Sequence, residues 1–168
     1  ERKVDDKLID NLYKQASTDL NKVDTSNFSG NALGSNYKLF QQRDSVLKDL
    51  ENDLTKITSE FFESDIFIDD SFFRILKGEG RVKKHTHLDK IDKLEKLDLY
   101  KNKFSLVYYI KTGDTDSSEP GFLNFYNPND KILPKPGMII IFPSDRPHSV
   151  LYDGKSDRII FSINFYSY

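Results

Sequence analysis

From residue 66 onward the chain breaks into short apolar segments separated by proline and glycine. This punctuation restricts that part of it to a strand-rich fold. The segments are residues 66–68, 72–76, 104–110, 121–126, 138–142 and 158–165. Gly78-Glu79-Gly80 breaks the chain after the second, and Pro134, Pro136-Gly137, Pro143 and Asp153-Gly154 supply later turns. The first third reads differently. Val4, Leu8, Ile9, Leu12 and Tyr13 recur at helical spacing, and residues 17–36 are rich in Ser, Thr, Asn and Gly, as in a loop. A second helix is predicted to start at Asp44 or Ser45, with Leu47, Leu50, Leu54, Ile57 and Phe61 on one face. Short strands after a helical prefix predict a mostly β, α+β architecture: a sandwich or barrel buttressed by helices.

With 168 residues, one domain spanning 1–168 is the expected organisation, with 1–65 as helical support and 66–168 as the β core. Lys and Arg number 25 against 27 Asp and Glu, a net charge of −2 that lacks the basic footprint of a nucleic-acid binder. The absence of cysteine excludes disulfides, thiolate metal sites and Cys nucleophiles. No apolar run approaches the ~20 residues of a membrane-spanning helix, and residues 1–6 lack a signal peptide's apolar stretch. The expected state is therefore a cytoplasmic monomer without a membrane partner, and Asn27-Phe28-Ser29 is read as a chance sequon. The frequent Lys, Asn, Ile and Asp fit an AT-rich bacterial or phage coding genome. Residues 88–103 form a Lys/Asp/Leu-rich insertion. Its Ile91, Leu94 and Leu97 predict a helical turn or two, and its charges predict a solvated loop.

The chain has three histidines. His85-Thr86-His87-Leu88-Asp89 sets two imidazoles and a carboxylate at every second residue, on one side of an extended segment. His148 follows a predicted strand. Two ligands from one short segment and a third from a distant strand end make a facial triad for Fe(II), with coordination positions left open. Isolated His-x-His or His-x-Asp pairs are commonly surface features, so the surroundings of His148 decide the reading.

Those surroundings are Pro136-Gly137, the apolar run 138–142, Pro143-Ser144-Asp145-Arg146-Pro147-His148-Ser149-Val150 and, ten residues beyond the histidine, Arg158. Together with Val107-Tyr108-Tyr109-Ile110 and Gly121-Phe122-Leu123-Asn124-Phe125-Tyr126, they resemble the 2-oxoglutarate/Fe(II)-dependent dioxygenases of the prolyl 4-hydroxylase-like branch over residues 72–166. The resemblance implies a double-stranded β-helix, that is, a jelly-roll or cupin-like barrel. It also implies Fe(II), 2-oxoglutarate and O2 as cofactors, with ascorbate as an optional reductant. Arg158 would hold the distal carboxylate of 2-oxoglutarate, helped by Tyr109, with Ser162 and Asn164 on the same strand face. Collagen-type prolyl hydroxylases usually place Lys at the Arg158 position.

His87 and His148 are metal ligands in either reading of the upstream motif. If His87-Leu88-Asp89 is the family's usual His-x-Asp, Asp89 completes the triad. If the motif is His85-Thr86-His87, the chain resembles a phage and marine bacterial branch with His-x-His upstream. That branch also has Phe-Pro-Ser before the last His, here Phe142-Pro143-Ser144, and Arg-x-x-x-Ser-x-Asn, here residues 158–164. His85, His87 and His148 are then the ligands. The implied activity is hydroxylation of a prolyl residue in a peptide or protein, with 2-oxoglutarate converted to succinate and CO2. The 88–103 insertion lies near the position of the loop that closes over substrate in prolyl hydroxylases. The alternatives are the same chemistry on a free amino acid, another side chain or a nucleobase, a cupin-like binding module without catalysis, and a structural phage component that keeps only the barrel.

Overall fold

The Asp44 backbone is extended and its side chain accepts a hydrogen bond from the Leu47 amide, so helix α2 (Ser45–Phe62) starts where a capping residue allows it. Asp5 receives the Lys7 amide in the same way at the head of α1 (Asp6–Asp19). The computed structural model describes residues 1–19, 28–29, 32–94 and 98–168. No helix among them is long and apolar enough to cross a membrane.

Among the described residues ten strands follow or flank the helices: β1 (Phe28–Ser29), β2 (Ala32–Gly34), β3 (Ile66–Leu76), β4 (Gly80–His85), β5 (Lys103–Thr112), β6 (Pro120–Phe125), β7 (Asp130–Ile132), β8 (Ile139–Pro143), β9 (His148–Tyr152) and β10 (Arg158–Ser167). They form two five-stranded antiparallel sheets, in the orders β1-β4-β9-β6-β7 and β2-β3-β10-β5-β8.

The central strands of the second sheet are buried on both faces. Phe73 and Ile75, Phe161, Ile163 and Phe165, and Leu106, Tyr108 and Ile110 pack against Leu8, Leu12, Leu47, Leu50 and Leu54 of the helices. The alternate residues of the same strands turn inward, and Leu76, Val107 and Tyr109 meet Leu123, Phe125, Val150 and Tyr152 of the first sheet. The helices therefore seal one face and leave the space between the sheets for the site. Tyr108 and Tyr109 illustrate the split, the first in the helix-side core and the second in the inter-sheet core.

Several local features differ from the sequence reading. Residues 66–68 and 72–76 are one strand, because a bulge absorbs Asp69: Asn164 pairs with Asp70 and Phe165 with Ile68. Part of the segment read as a loop at 17–36 pairs as β1 and β2, while Asn27, Gly30 and Asn31 lie outside the described residues. Strands β4, β7 and β9 are too short or too polar to stand out by pattern. On α2, Phe61 is 69% exposed. Phe62 takes the expected role, its ring 4.4 Å from Phe104 and 5.7 Å from Phe165, as the helix stops one residue later at left-handed Glu63.

The 88–103 insertion is not merely a solvated loop. Leu99–Asn102 is a short 3-10 helix, Ile91 and Leu94 are exposed, and Leu97 lies outside the described residues. Its anchor is polar. Lys103, 1% exposed, donates to Asp92 at 2.7 Å and to Asp69 at 2.8 Å, and Asp92 also accepts from the Tyr166 hydroxyl at 2.6 Å. Lys103→Met leaves Asp92 buried without its cation and is expected to cost about 3–5 kcal/mol of unfolding free energy. A wild-type midpoint in urea would contradict this. Burial pushes the Asp92 carboxyl up, but hydrogen bonds from Lys103 and Tyr166 outweigh it and hold the group below the ordinary carboxylate range. Its contribution is accordingly full at neutral pH and lost as pH falls through that lowered value.

Candidate active site

Strand registers aim the site. From Val82 to His85 is three residues, which on a regular strand would send the two side chains to opposite faces. Val82 pairs with Val150 and His85 with His148, so β4 carries one extra residue between them. The bulge turns His85 into the inter-sheet space beside Val82. Just beyond the end of β4, the His87 amide donates to the Ser144 carbonyl at 2.8 Å, which fixes that residue opposite His148.

His85, His87 and His148 converge, with one ligand atom of each lying within 4.8 Å of the others. Their outer nitrogens are all engaged. His85 Nδ1 meets the Lys83 carbonyl at 2.8 Å and His148 Nδ1 the Arg146 carbonyl at 3.1 Å. His87 Nδ1 meets Asn164 Oδ1 at 2.6 Å, and the Ser105 hydroxyl lies 2.9 Å from the same nitrogen. A carbonyl only accepts, so each Nδ1 carries the proton and each Nε2 presents a lone pair. His85 Nε2 and His87 Nε2 then face each other at 3.0 Å with both lone pairs turned inward, an arrangement that suits a shared electrophile. Burial lowers all three imidazole pKa values. His148 falls to about 4, and His87, which also feels His148 and His85, falls well below its ordinary value. Three neutral imidazoles held by outer hydrogen bonds are a fitting ligand set for a divalent transition metal.

Asp89 lies apart from this cluster. Its Oδ1 accepts from the Ile91 and Asp92 amides at 2.7 and 3.0 Å, and its Oδ2 lies 3.7 Å from Lys103 Nζ. The carboxylate caps the turn that opens the 88–103 insertion.

The histidines line one part of a cavity of ≈ 370 Å³ between the sheets, whose walls also include Arg74, Tyr109, Arg158, Ser162 and Asn164. Arg158, 2% exposed, donates from one terminal nitrogen to the Gly121 carbonyl at 3.1 Å, and its guanidinium carbon lies 5.2 Å from the Tyr109 ring centroid. Its Nε has no hydrogen-bond partner, and no carboxylate among the described residues pairs with it. A buried cation in this condition suits an anion supplied from outside the chain. Burial lowers the Arg158 pKa and Tyr109 partly offsets it.

Gly121 makes this placement possible. Its φ of +85° suits glycine, and a Cβ there would sit 2.6 Å from Arg158 Nε. Gly121→Ala is expected to displace the guanidinium and weaken 2-oxoglutarate binding while metal affinity stays at the wild-type level. Calorimetric titration with each ligand separates the two, and unchanged 2-oxoglutarate affinity would contradict it.

Ser162 and Asn164 share the Arg158 face of β10, as alternation requires, but their contacts differ. Ser162 donates to the Leu106 carbonyl at 2.7 Å. Asn164 stands at the histidine end of the cavity. Ser105, beside His87, and Asp70, behind Asn164, are what the sequence reading missed. Asp70 shares a strand face with Phe72, Arg74 and Leu76, and that period-two pattern was the available signal.

Comparison with known proteins agrees with this geometry. Residues 73–166, more than half of the chain, match the model described as the 2OG-Fe(II) oxygenase superfamily. The chain belongs to that superfamily. No curated protein matches it. Among solved structures it is similar to the viral collagen prolyl hydroxylase of Paramecium bursaria chlorella virus-1 in its 2-oxoglutarate complex, at 15% identity and a TM-score of 0.65, over 97% of this chain and 89% of that one. HygX of Streptomyces hygroscopicus, with nickel and 2-oxoglutarate bound, aligns at 12% identity and a TM-score of 0.66, over 92% and 76%. A 2OG-Fe(II) oxygenase family oxidoreductase of Burkholderia pseudomallei aligns at 15% and 0.53, over 71% of this chain and just over half, 55%, of its own length. At these identities the likeness is one of fold, the double-stranded β-helix. Fe(II), 2-oxoglutarate and O2 are the family's cofactors, and the three converging histidines suit the metal.

Proposed function

We propose that the protein hydroxylates a prolyl residue of a peptide or protein, with His85, His87 and His148 holding Fe(II) and Arg158 and Tyr109 holding the distal carboxylate of 2-oxoglutarate. The observation that carries this reading is the pairing, in one cavity, of three converging Nε2 lone pairs with a buried guanidinium that lacks an anion. A dicarboxylate that chelates metal at one end and needs a cation at the other fits both demands. Bound iron would supply O2 activation, coupling loss of CO2 from 2-oxoglutarate to insertion of one oxygen atom into a substrate C–H bond. The chain's own residues position and shield. Arg158 and Tyr109 orient the co-substrate, while Val107, Leu123, Val150 and Ile160 keep its path apolar. Leu88 and Asp89, where the anchored insertion begins, stand at the cavity wall, where a peptide would be covered.

The prolyl assignment is supported by the near full-length similarity in fold to the viral collagen prolyl hydroxylase. A second reading has its own observation. Arg74, also deeply buried, lines the same cavity, and its charge favours a substrate that carries a carboxylate, such as a free amino acid. Incubation with Fe(II), 2-oxoglutarate and O2, with either a proline-rich peptide or free amino acids, separates them. A gain of one oxygen atom on peptidyl proline, with stoichiometric succinate, is expected. Oxygen gain confined to a free amino acid would overturn the prolyl assignment and support the second reading.

A further inference from the structure

His87 stands two residues after His85, where the family's usual His-x-Asp motif carries a carboxylate, so the candidate centre has three neutral ligands and no ligand charge. An anion stands one residue removed on this side. Asn164 Oδ1 accepts from His87 Nδ1 at 2.6 Å, and Asn164 Nδ2 donates to Asp70 Oδ2 at 2.9 Å. A carboxylate at Asp70 fixes which way the amide points, and the amide fixes the proton of His87 on Nδ1. Ser105 strengthens the junction, donating to Asn164 Oδ1 at 2.8 Å and contacting Ser144 Oγ at 2.8 Å. Asn164 and Ser105 are both buried, so the chain of bonds runs through a region of low dielectric, where its polarisation is strong.

We infer that Asp70, acting through Asn164, orients His87 and supplies the negative charge that a histidine in the carboxylate position removes from the metal centre. Both are positioning residues, and the inference rests on His85, His87 and His148 being the metal ligands. Asp70 is flanked by Asp69, by Lys38, whose Nζ lies 3.6 Å from its Oδ1, and by Lys103. Lys38 is the half-exposed member of the group and so a separate handle on the same charge.

The test uses the whole chain with Co(II) as a visible probe of binding and the Fe(III)/Fe(II) midpoint as a probe of charge. Asn164→Ala is expected to weaken Co(II) binding by 10–100-fold, the range found when the outer partner of a metal-bound histidine is lost. Asp70→Asn keeps an acceptor for the Asn164 amide and removes only the charge. It is expected to reduce the preference for Fe(III) over Fe(II) about tenfold, an upward midpoint shift of about 59 mV. Lys38→Met is expected to move the midpoint the opposite way. A role confined to packing would not move the potential in either variant. If wild type binds Co(II) and Asp70→Asn leaves affinity and midpoint unchanged, the inference is overturned while the metal site stands. If wild type binds no Co(II), the ligand assignment fails first and takes this inference with it.

Discussion

His148→Ala is expected to abolish succinate formation and to reduce Fe(II) affinity by more than the 10–100-fold seen when only an outer partner is removed. His148 supplies one of three Nε2 lone pairs, and its Nδ1 is held by the Arg146 carbonyl at 3.1 Å, so no other side chain takes its position. The fold itself is expected to survive. In the metal-free chain the imidazoles present lone pairs to one another, His85 Nε2 and His87 Nε2 at 3.0 Å, and such a contact does not hold a core together. Metal titration followed by thermal unfolding distinguishes the outcomes. Full Fe(II) affinity in the variant would remove His148 from the site.

Arg158→Ala is expected to leave metal binding intact and weaken 2-oxoglutarate binding by about 2–5 kcal/mol, the cost of truncating one member of a buried charge pair. That is roughly 30-fold to several-thousand-fold in Kd. The same substitution removes a buried cation with an unpartnered Nε, so it is expected to stabilise the apoprotein or leave it unchanged. Arg158→Lys is expected to fall between the two, because an ammonium keeps the charge and loses the planar two-point fork. Equal 2-oxoglutarate affinity in all three proteins would show that the carboxylate binds elsewhere, with Arg74 the first place to look.

The strands most visible in the sequence were those buried on both faces. Residues 104–110 and 158–165 read as near-continuous apolar runs because helices cover one side and the opposite sheet the other. Strands β4 and β9, which carry two of the three histidines, were least visible, because both are short and β4 places charged residues at its exposed positions. Spacing put His85 and Asp89 on an equal footing. What separates them is a bulge in β4 and a turn capped by Asp89, and neither leaves a mark in residue type. The charges of the insertion read as surface until Asp92, in the turn that opens it, met Lys103, at the start of β5, in the interior, a contact that no local pattern encodes. Asn164 was visible as a residue on the Arg158 face, but its partnership with Asp70 depends on the pairing of β10 with β3.

The most direct measurement is anaerobic titration of Fe(II) and 2-oxoglutarate into wild type, His148→Ala and Arg158→Ala, followed by visible absorbance. A keto acid chelated to Fe(II) through adjacent open coordination positions gives a weak charge-transfer band in the visible. That band is expected in wild type, none in His148→Ala, and in Arg158→Ala one that appears only at much higher 2-oxoglutarate. A folded wild-type protein that binds Fe(II) and gives no band at saturating 2-oxoglutarate would contradict the placement of both cofactors in this cavity.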